Sequence, residues 1–117
     1  MQALIRAFQN SRAGLRHAVD TERAVRQEIF VLLAALPLAM LAGADNWKRA
    51  ALIGSVFMVL AVELLNTSIE KLCDHVTPQI HPTIKVVKDM GSAAVLFAIG
   101  GAMLLWLAAL ADRLGWI

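Results

Sequence analysis

The chain has 117 residues, which is enough for one domain and too few for two ordinary ones. Hydrophobic residues make up 59% of it and charged residues only 17%, so it is more apolar and less charged than a typical soluble domain. These values predict a membrane protein. The net charge of +2 indicates neither a nucleic-acid partner nor a strongly acidic one. Because Cys73 is the only cysteine, an internal disulfide and a paired-cysteine metal site are both excluded.

The N-terminal segment, from Gln2 to about Glu28, places apolar residues among arginines and acids. An apolar stripe with a charged opposite face is typical of a helix that lies in the headgroup plane of a membrane. We therefore predict a surface helix over residues 1–28, either continuous or broken near Gly14 or Thr21. A helix packed on its own bundle fits the same pattern. The segment has no apolar core like that of a cleaved signal peptide, so we expect the later hydrophobic segments to direct the chain to the membrane.

Three apolar segments follow, and we place membrane helices at residues 29–44, 50–70 and 90–111. The first is about 24 Å long at ~1.5 Å per residue, which is short for a bilayer core of ~30 Å, whereas the third is about 33 Å long. A turn near Asp45 separates the first two, and Pro78 and Pro82 interrupt the chain before the third. The predicted fold is an all-α membrane protein with three transmembrane helices and a single domain over residues 1–117.

Positive charge is distributed unevenly between the two ends of these segments. The end that carries the N-terminus holds Arg6, Arg12, Arg16, Arg23, Arg26, Lys71, Lys85 and Lys88, whereas the other end holds Lys48, Arg49 and Arg113. Since cytoplasmic loops of membrane proteins carry an excess of Lys and Arg, we predict a cytoplasmic N-terminus. Glu22 and Glu28 would then lie on the side of the membrane where nucleotides are found.

The stretch from Val62 to Val76 carries acids where an apolar helix should still continue. After the uncharged residues 50–62, the polar positions at steps of three, four and four are Glu63, Asn66, Glu70 and Asp74. Such steps place the side chains on one face of a helix. A charge at the bilayer centre costs about 2.5–3.5 kcal/mol on insertion scales, so a functional site is the natural interpretation. Glu63 lies about 20 Å along its segment, near the cytoplasmic interface and away from the midplane.

Paired acids near a lysine suit phosphoryl transfer, which needs a metal-held triphosphate and a base for the proton of the acceptor hydroxyl. Magnesium keeps waters and substrate phosphates in its shell, so one or two carboxylates suffice. Acids in membrane helices also serve proton relays, ion paths and hydrogen bonding between helices. An enzyme, a transport protein and a structural adaptor therefore all stay open. The absence of a GxxxxGK[ST] loop excludes the phosphate cradle of P-loop kinases.

Three motifs in the chain resemble those of a known family. They are TERAVRQE at residues 21–28, VELLNTSIE followed by Asp74, and KDMGSAAVL at residues 88–96. Together they are similar to the signature of the prokaryotic diacylglycerol kinase family. The likeness extends over nearly the whole chain, including the order of the segments and the lengths of the loops.

The resemblance implies a homotrimeric kinase of the bacterial inner membrane, with no nucleic-acid partner. It would transfer the γ-phosphate of ATP to the hydroxyl of diacylglycerol and give phosphatidic acid, with Mg²⁺ as cofactor. Relatives that phosphorylate undecaprenol provide the alternative acceptor. The family's site is assembled across protomers, which fits the small residues of the third segment, from Gly91 to Ala102.

The resemblance also implies a role for individual residues. Glu63 matches the general base, and Glu22 and Glu70 match the acids that bind the metal. Lys88 and Asp89 match the pair that contacts the nucleotide, and we add Asn66 and His81 to this nucleotide-binding set. The positions assigned to the lipid or to the order of the surface helix are Arg16, Arg26, Gln27, Glu28 and Ser92.

Overall fold

The computed structural model describes residues 1–117 and contains four helices and no strand. The helices are α1 (Gln2–Thr21), α2 (Arg23–Ala42), α3 (Asn46–Val76) and α4 (Pro82–Arg113). By length and composition, α2, α3 and α4 could each cross a membrane. The predicted class, an all-α membrane protein with three spans and a preceding amphipathic helix, is confirmed.

The helical conformation is interrupted at Glu22, between α1 and α2. Glu22 is extended, with φ −119° and ψ 115°, and its N–H still donates to the carbonyl of Ala18. The Arg26 guanidinium donates to the carbonyl of Val19 (2.8 Å), so a side chain of α2 satisfies one of the free carbonyls at the end of α1. The surface segment is therefore broken, and the break lies next to Thr21, one of the two places considered.

The first part of α1 does not pack on its own bundle, because residues 1–17 are all exposed. The apolar side chains of Leu4 and Phe8 are each 71% exposed. Only the end of α1 is held, where Ala18 packs against Val25 and Leu60 in a small buried cluster. An uncovered apolar stripe on a basic helix favours contact with a lipid surface over packing within the chain.

Helices α3 and α4 extend beyond their apolar segments at both ends, and α2 extends beyond its segment at the start. Helix α2 begins at Arg23 and not at residue 29, and α4 begins at Pro82 and not at residue 90. His81 caps α4, because its Nδ1 accepts the Thr83 N–H at 3.1 Å. Proline suits the first turn that follows, where its missing N–H has no partner to lose. Hydropathy marks where a helix crosses the bilayer, whereas capping decides where the helix begins.

The turn end of the bundle, comprising residues 41–49 and 109–113, ties all three long helices together. Lys48 pairs with Asp112 (2.7 Å), which joins α3 to α4. Arg113 donates to the carbonyl of Leu41 (3.3 Å), which joins α4 to α2. Asp45 caps α3 by accepting the Lys48 N–H at 2.9 Å, and this hydrogen bond lowers the pKa of the Asp45 carboxyl.

Within the bundle, α3 packs against α2 on one side and α4 on the other, yet the chain buries only 14 of its 117 residues. Helix α4 buries Gly91 and Ala109 alone, while large apolar residues such as Leu96 and Phe97 are exposed. So much uncovered apolar surface requires lipid or neighbouring protomers around it.

Candidate active site

The acidic stripe lies on one face of α3, close to the end where α1 meets α2. Glu63 and Glu70 are both half-buried, and the Asn66 amide donates to a Glu70 carboxylate oxygen at 3.3 Å. Glu63 lies about 26 Å from the start of α3 at ~1.5 Å per residue. If α3 enters a bilayer core of ~30 Å at its first residue, Glu63 lies near the other surface of that core.

Acids from two other parts of the chain gather around this stripe. The negative charges of Glu28 on α2, Glu70 on α3 and Glu22 at the α1–α2 corner all act on Glu63. Lys71 pairs with Glu22 (2.9 Å) and is the only lysine or arginine that forms an ion pair with any of these four acids. We call this region, residues 18–28, 60–74 and 84–92, the acid end of the bundle. Such a concentration of carboxylates favours a bound cation.

The acids fit magnesium held jointly with a phosphate and do not form a complete protein cage. No group of three or more His, Cys, Asp or Glu side chains could hold a metal ion. Magnesium commonly takes only one or two carboxylates and completes its octahedron with waters and substrate phosphates. Glu70 and Glu22 can supply that number, and the Asn66 amide donates a hydrogen bond that orients Glu70.

The residues predicted to bind the nucleotide divide into two places. Lys88 pairs with Asp74 (2.5 Å) and lines a groove of about 290 Å³ with His81 and Lys85. Asp89 lies beside this groove and is exposed, where Lys85 pairs with it at 2.7 Å. Asn66, in contrast, is buried in the seam between α3 and α4. The groove provides lysines at the edge of the acid end, which is the charge that a triphosphate needs.

The residues predicted to contact the lipid also lie in different places. Glu28 lies at an apolar groove of about 440 Å³ whose other lining residues, among them Val31, Val59 and Met103, are all hydrophobic. Arg16, Gln27 and Ser92 are exposed and do not line this groove, and Arg26 is engaged at the α1–α2 corner. Only Glu28 of this set is therefore brought to a cavity that could hold an acyl chain.

Three features of the site were not singled out from the sequence as site residues. Lys71 neutralises Glu22, Gly91 lies against Asn66, and the small residues Ala35 and Ala102 open the apolar groove. The step from Lys71 back to Glu22 crosses the helix break, so no helical spacing reports it. The contact between Gly91 and Asn66 joins two helices, so the spacing of residues along one helix does not predict it either.

The fold and the site together define a multi-pass membrane protein with a carboxylate-rich site at one end of its bundle. The family described as prokaryotic diacylglycerol kinase matches residues 9–110. That range contains every candidate residue named above. The chain belongs to the prokaryotic diacylglycerol kinase family.

Individual relatives match this chain over most of their length. A diacylglycerol kinase of Escherichia coli (strain K12) is 42% identical over 103 residues, which cover 88% of this chain and 84% of the relative. A diacylglycerol kinase of Pseudomonas aeruginosa is 35% identical over 106 residues, covering 91% and 86% respectively. One of Haemophilus influenzae is 33% identical over 103 residues, covering 88% and 87%.

Proposed function

We propose that this chain transfers the γ-phosphate of ATP to the hydroxyl of diacylglycerol, giving phosphatidic acid and ADP. As a member of the family, the chain is a membrane kinase, and its relatives are named diacylglycerol kinase. The observation that carries the proposal is the gathering of Glu22, Glu63 and Glu70 at one end of a membrane bundle. A lipid hydroxyl at an interface and a nucleotide from water can both reach such a place.

In this mechanism Glu63 is the general base. Its carboxylate takes the proton of the diacylglycerol hydroxyl as that oxygen bonds to the γ-phosphorus and the bond to ADP breaks. Glu63 is half-buried and lies on the same helical face as the other acids, so the proton acceptor and the phosphate-binding groups lie on one side of α3.

Glu70 and Glu22 are the residues that would hold Mg²⁺. Bound magnesium would neutralise charge on the transferring phosphate and align it. The hydrogen bond from Asn66 keeps the Glu70 carboxylate in one orientation, and Lys71 does the same for Glu22. Both partners reduce the rotational freedom that each acid must lose when the metal binds.

The nucleotide phosphates would lie between this metal position and the groove of Lys88, His81 and Lys85. Lys88 is now paired with Asp74, and a phosphate would replace that carboxylate as the partner of the ammonium group. Asp89 holds Lys85 in the same way at the edge of the groove. Asn66 then acts through Glu70 and not by direct contact with ATP.

We further propose a homotrimer in the bacterial inner membrane, with the acid end and the N-terminus cytoplasmic. More lysines and arginines lie toward the end that carries the N-terminus than at the turn end, and this difference supports the orientation. The exposed α4 supports neighbouring protomers, because it buries so little within the chain. Ser92 and the arginine Arg16 are exposed in the single chain, so their lipid contacts would belong to a site completed by another protomer or by the bilayer.

Reconstitution of the purified protein into lipid vesicles with Mg-ATP tests which lipid is the phosphate acceptor. Diacylglycerol and undecaprenol are offered side by side in the same vesicles, and the phosphorylated lipids are separated and quantified. We expect phosphate on diacylglycerol. Phosphate on undecaprenol alone would select the alternative acceptor, and phosphate on neither lipid would contradict the kinase assignment. In that last case, solute flux that depends on Glu63 without ATP would identify a transport protein.

A further inference from the structure

The amide of Asn66 lies in a confined position between α3 and α4. The residue is only 8% exposed, and its Nδ2 donates to Glu70. Its carbonyl oxygen is fully buried and is the only such side-chain polar atom in the chain with no hydrogen-bond partner. That oxygen points at Gly91 of α4, and a Cβ built on Gly91 would overlap it. The amide is therefore held between an acid on one side and a glycine backbone on the other.

Gly91 differs from the other glycines of its helix. Gly100 and Gly101 are exposed, and a Cβ on either would meet nothing within 4 Å. Gly91 is buried, and the atoms near its Cβ position both belong to the Asn66 amide. Of these three glycines of α4, only Gly91 leaves space that another side chain of the protein occupies.

We infer that Gly91 is a positioning residue for phosphoryl transfer, because it makes room for the Asn66 amide that orients Glu70. This inference rests on the proposed function, in which Glu70 binds the metal. A methyl group at position 91 would meet the far end of a side chain and not backbone, so the amide would rotate while the helices stayed together. Rotation would carry Nδ2 away from Glu70, and the carboxylate would lose the donor that fixes its orientation.

The kinetic test is a double-mutant cycle between the two positions. We expect Gly91→Ala to raise the Mg²⁺ concentration for half-maximal activity by about 10-fold to 100-fold, the usual effect of losing the partner of a metal ligand. Asn66→Ala should do the same. In the Asn66→Ala background the second substitution, Gly91→Ala, should add nothing, since the atom it would displace is gone. Gly54→Ala on α3, where a Cβ meets nothing within 4 Å, is the matched control.

A second readout does not depend on activity. In the metal-free protein, the side-chain amide resonance of Asn66 in a ¹⁵N NMR spectrum should shift in Gly91→Ala and stay in place in Gly54→Ala. If the unsubstituted protein phosphorylates no lipid, the proposed function fails, and this resonance still tests the contact by itself.

Two results would overturn the inference. One is a folded Gly91→Ala variant with an unmoved Asn66 resonance and an unchanged Mg²⁺ titration. The other is that the effects of Gly91→Ala and Asn66→Ala on the Mg²⁺ titration add in the double variant. If Gly91→Ala does not fold, the Asn66→Ala/Gly91→Ala protein decides the matter: recovery of the fold supports the contact with Asn66. Continued misfolding would mean that Gly91 serves helix packing instead.

Discussion

The two ends of the bundle use their charged residues in opposite ways. At the turn end, the carboxylates of Asp45 and Asp112 share Lys48, and the guanidinium of Arg113 donates to a carbonyl of another helix. At the acid end, Glu63 has no ion-pair partner in the chain and is repelled by three acids. Both ends contain ion pairs, but only the acid end also has a group of carboxylates, Glu28, Glu63 and Glu70, that form no ion pair and leave negative charge for a ligand to neutralise.

Because of this difference, we expect residues that stabilise the fold and residues that act in catalysis to lie at opposite ends of the bundle. Groups that bind a substrate are commonly less favourable for the free protein than groups chosen for packing alone. Substitutions at the acid end should therefore remove activity and spare the fold, whereas substitutions at the turn end should lower stability slightly and spare activity.

The largest effect is expected for Glu63→Gln. Loss of the general base should lower kcat by about 100-fold or more. The free energy of unfolding should not fall, because removing one charge relieves repulsion with Glu28, Glu70 and Glu22. Steady-state kinetics and thermal unfolding in the same detergent measure both quantities. Near-normal turnover in a folded Glu63→Gln protein would remove the assigned role.

Glu70→Gln and Glu22→Gln come next. Each substitution replaces a carboxylate oxygen with a neutral amide, so Mg²⁺ should bind about 10-fold more weakly or worse. The measurement is the Mg²⁺ concentration for half-maximal activity at saturating ATP. Asp112→Asn, at the turn end, should leave this value unchanged. A Glu70→Gln titration that coincides with that of the unsubstituted protein would argue against metal binding.

Lys88→Met should act on the nucleotide more than on the lipid. A hydrogen bond between a charged donor and its partner is worth about 1.5–3 kcal/mol, so the KM for ATP should rise by about 10-fold to 100-fold. The KM for diacylglycerol should change much less. The comparison of the two KM values distinguishes a phosphate contact from a lysine that only extends to the membrane surface. Equal rises in both would favour the second role.

The smallest effect is expected at the turn end. Asp112→Asn breaks the Lys48–Asp112 pair, which is partly exposed, and such pairs contribute little to stability. The midpoint of thermal unfolding should fall slightly, and this loss should shrink in high salt because the pair is screened. The kcat should be unchanged. A large loss of activity in this variant would mean that the two ends are coupled and that the comparison does not hold.

Much of the fold could be read from hydropathy and periodicity. The apolar segments identified three spans, and the steps from Glu63 to Asn66 and Glu70 placed these residues on one helical face, as the Asn66–Glu70 hydrogen bond requires. Helix α4 begins before the apolar segment of residues 90–111, because the His81 cap starts the helix before its hydropathy rises. Local patterns report what lies within about one turn of a helix, and capping is visible only when the cap is recognised.

The local sequence determined the helices and the acidic face of α3, since each depends on residues a few positions apart, whereas the structure chose Thr21 over Gly14 as the place where the surface segment breaks. Only the tertiary structure decided which charged side chains form ion pairs and which have no partner. Lys71 reaches Glu22 across a helix break, and Gly91 accommodates Asn66 from another helix. The indole N–H of Trp106 on α4 likewise donates to another helix, to the carbonyl of Leu52 and the hydroxyl of Ser55 on α3. These contacts depend on how whole helices pack, and no spacing along one helix encodes that arrangement.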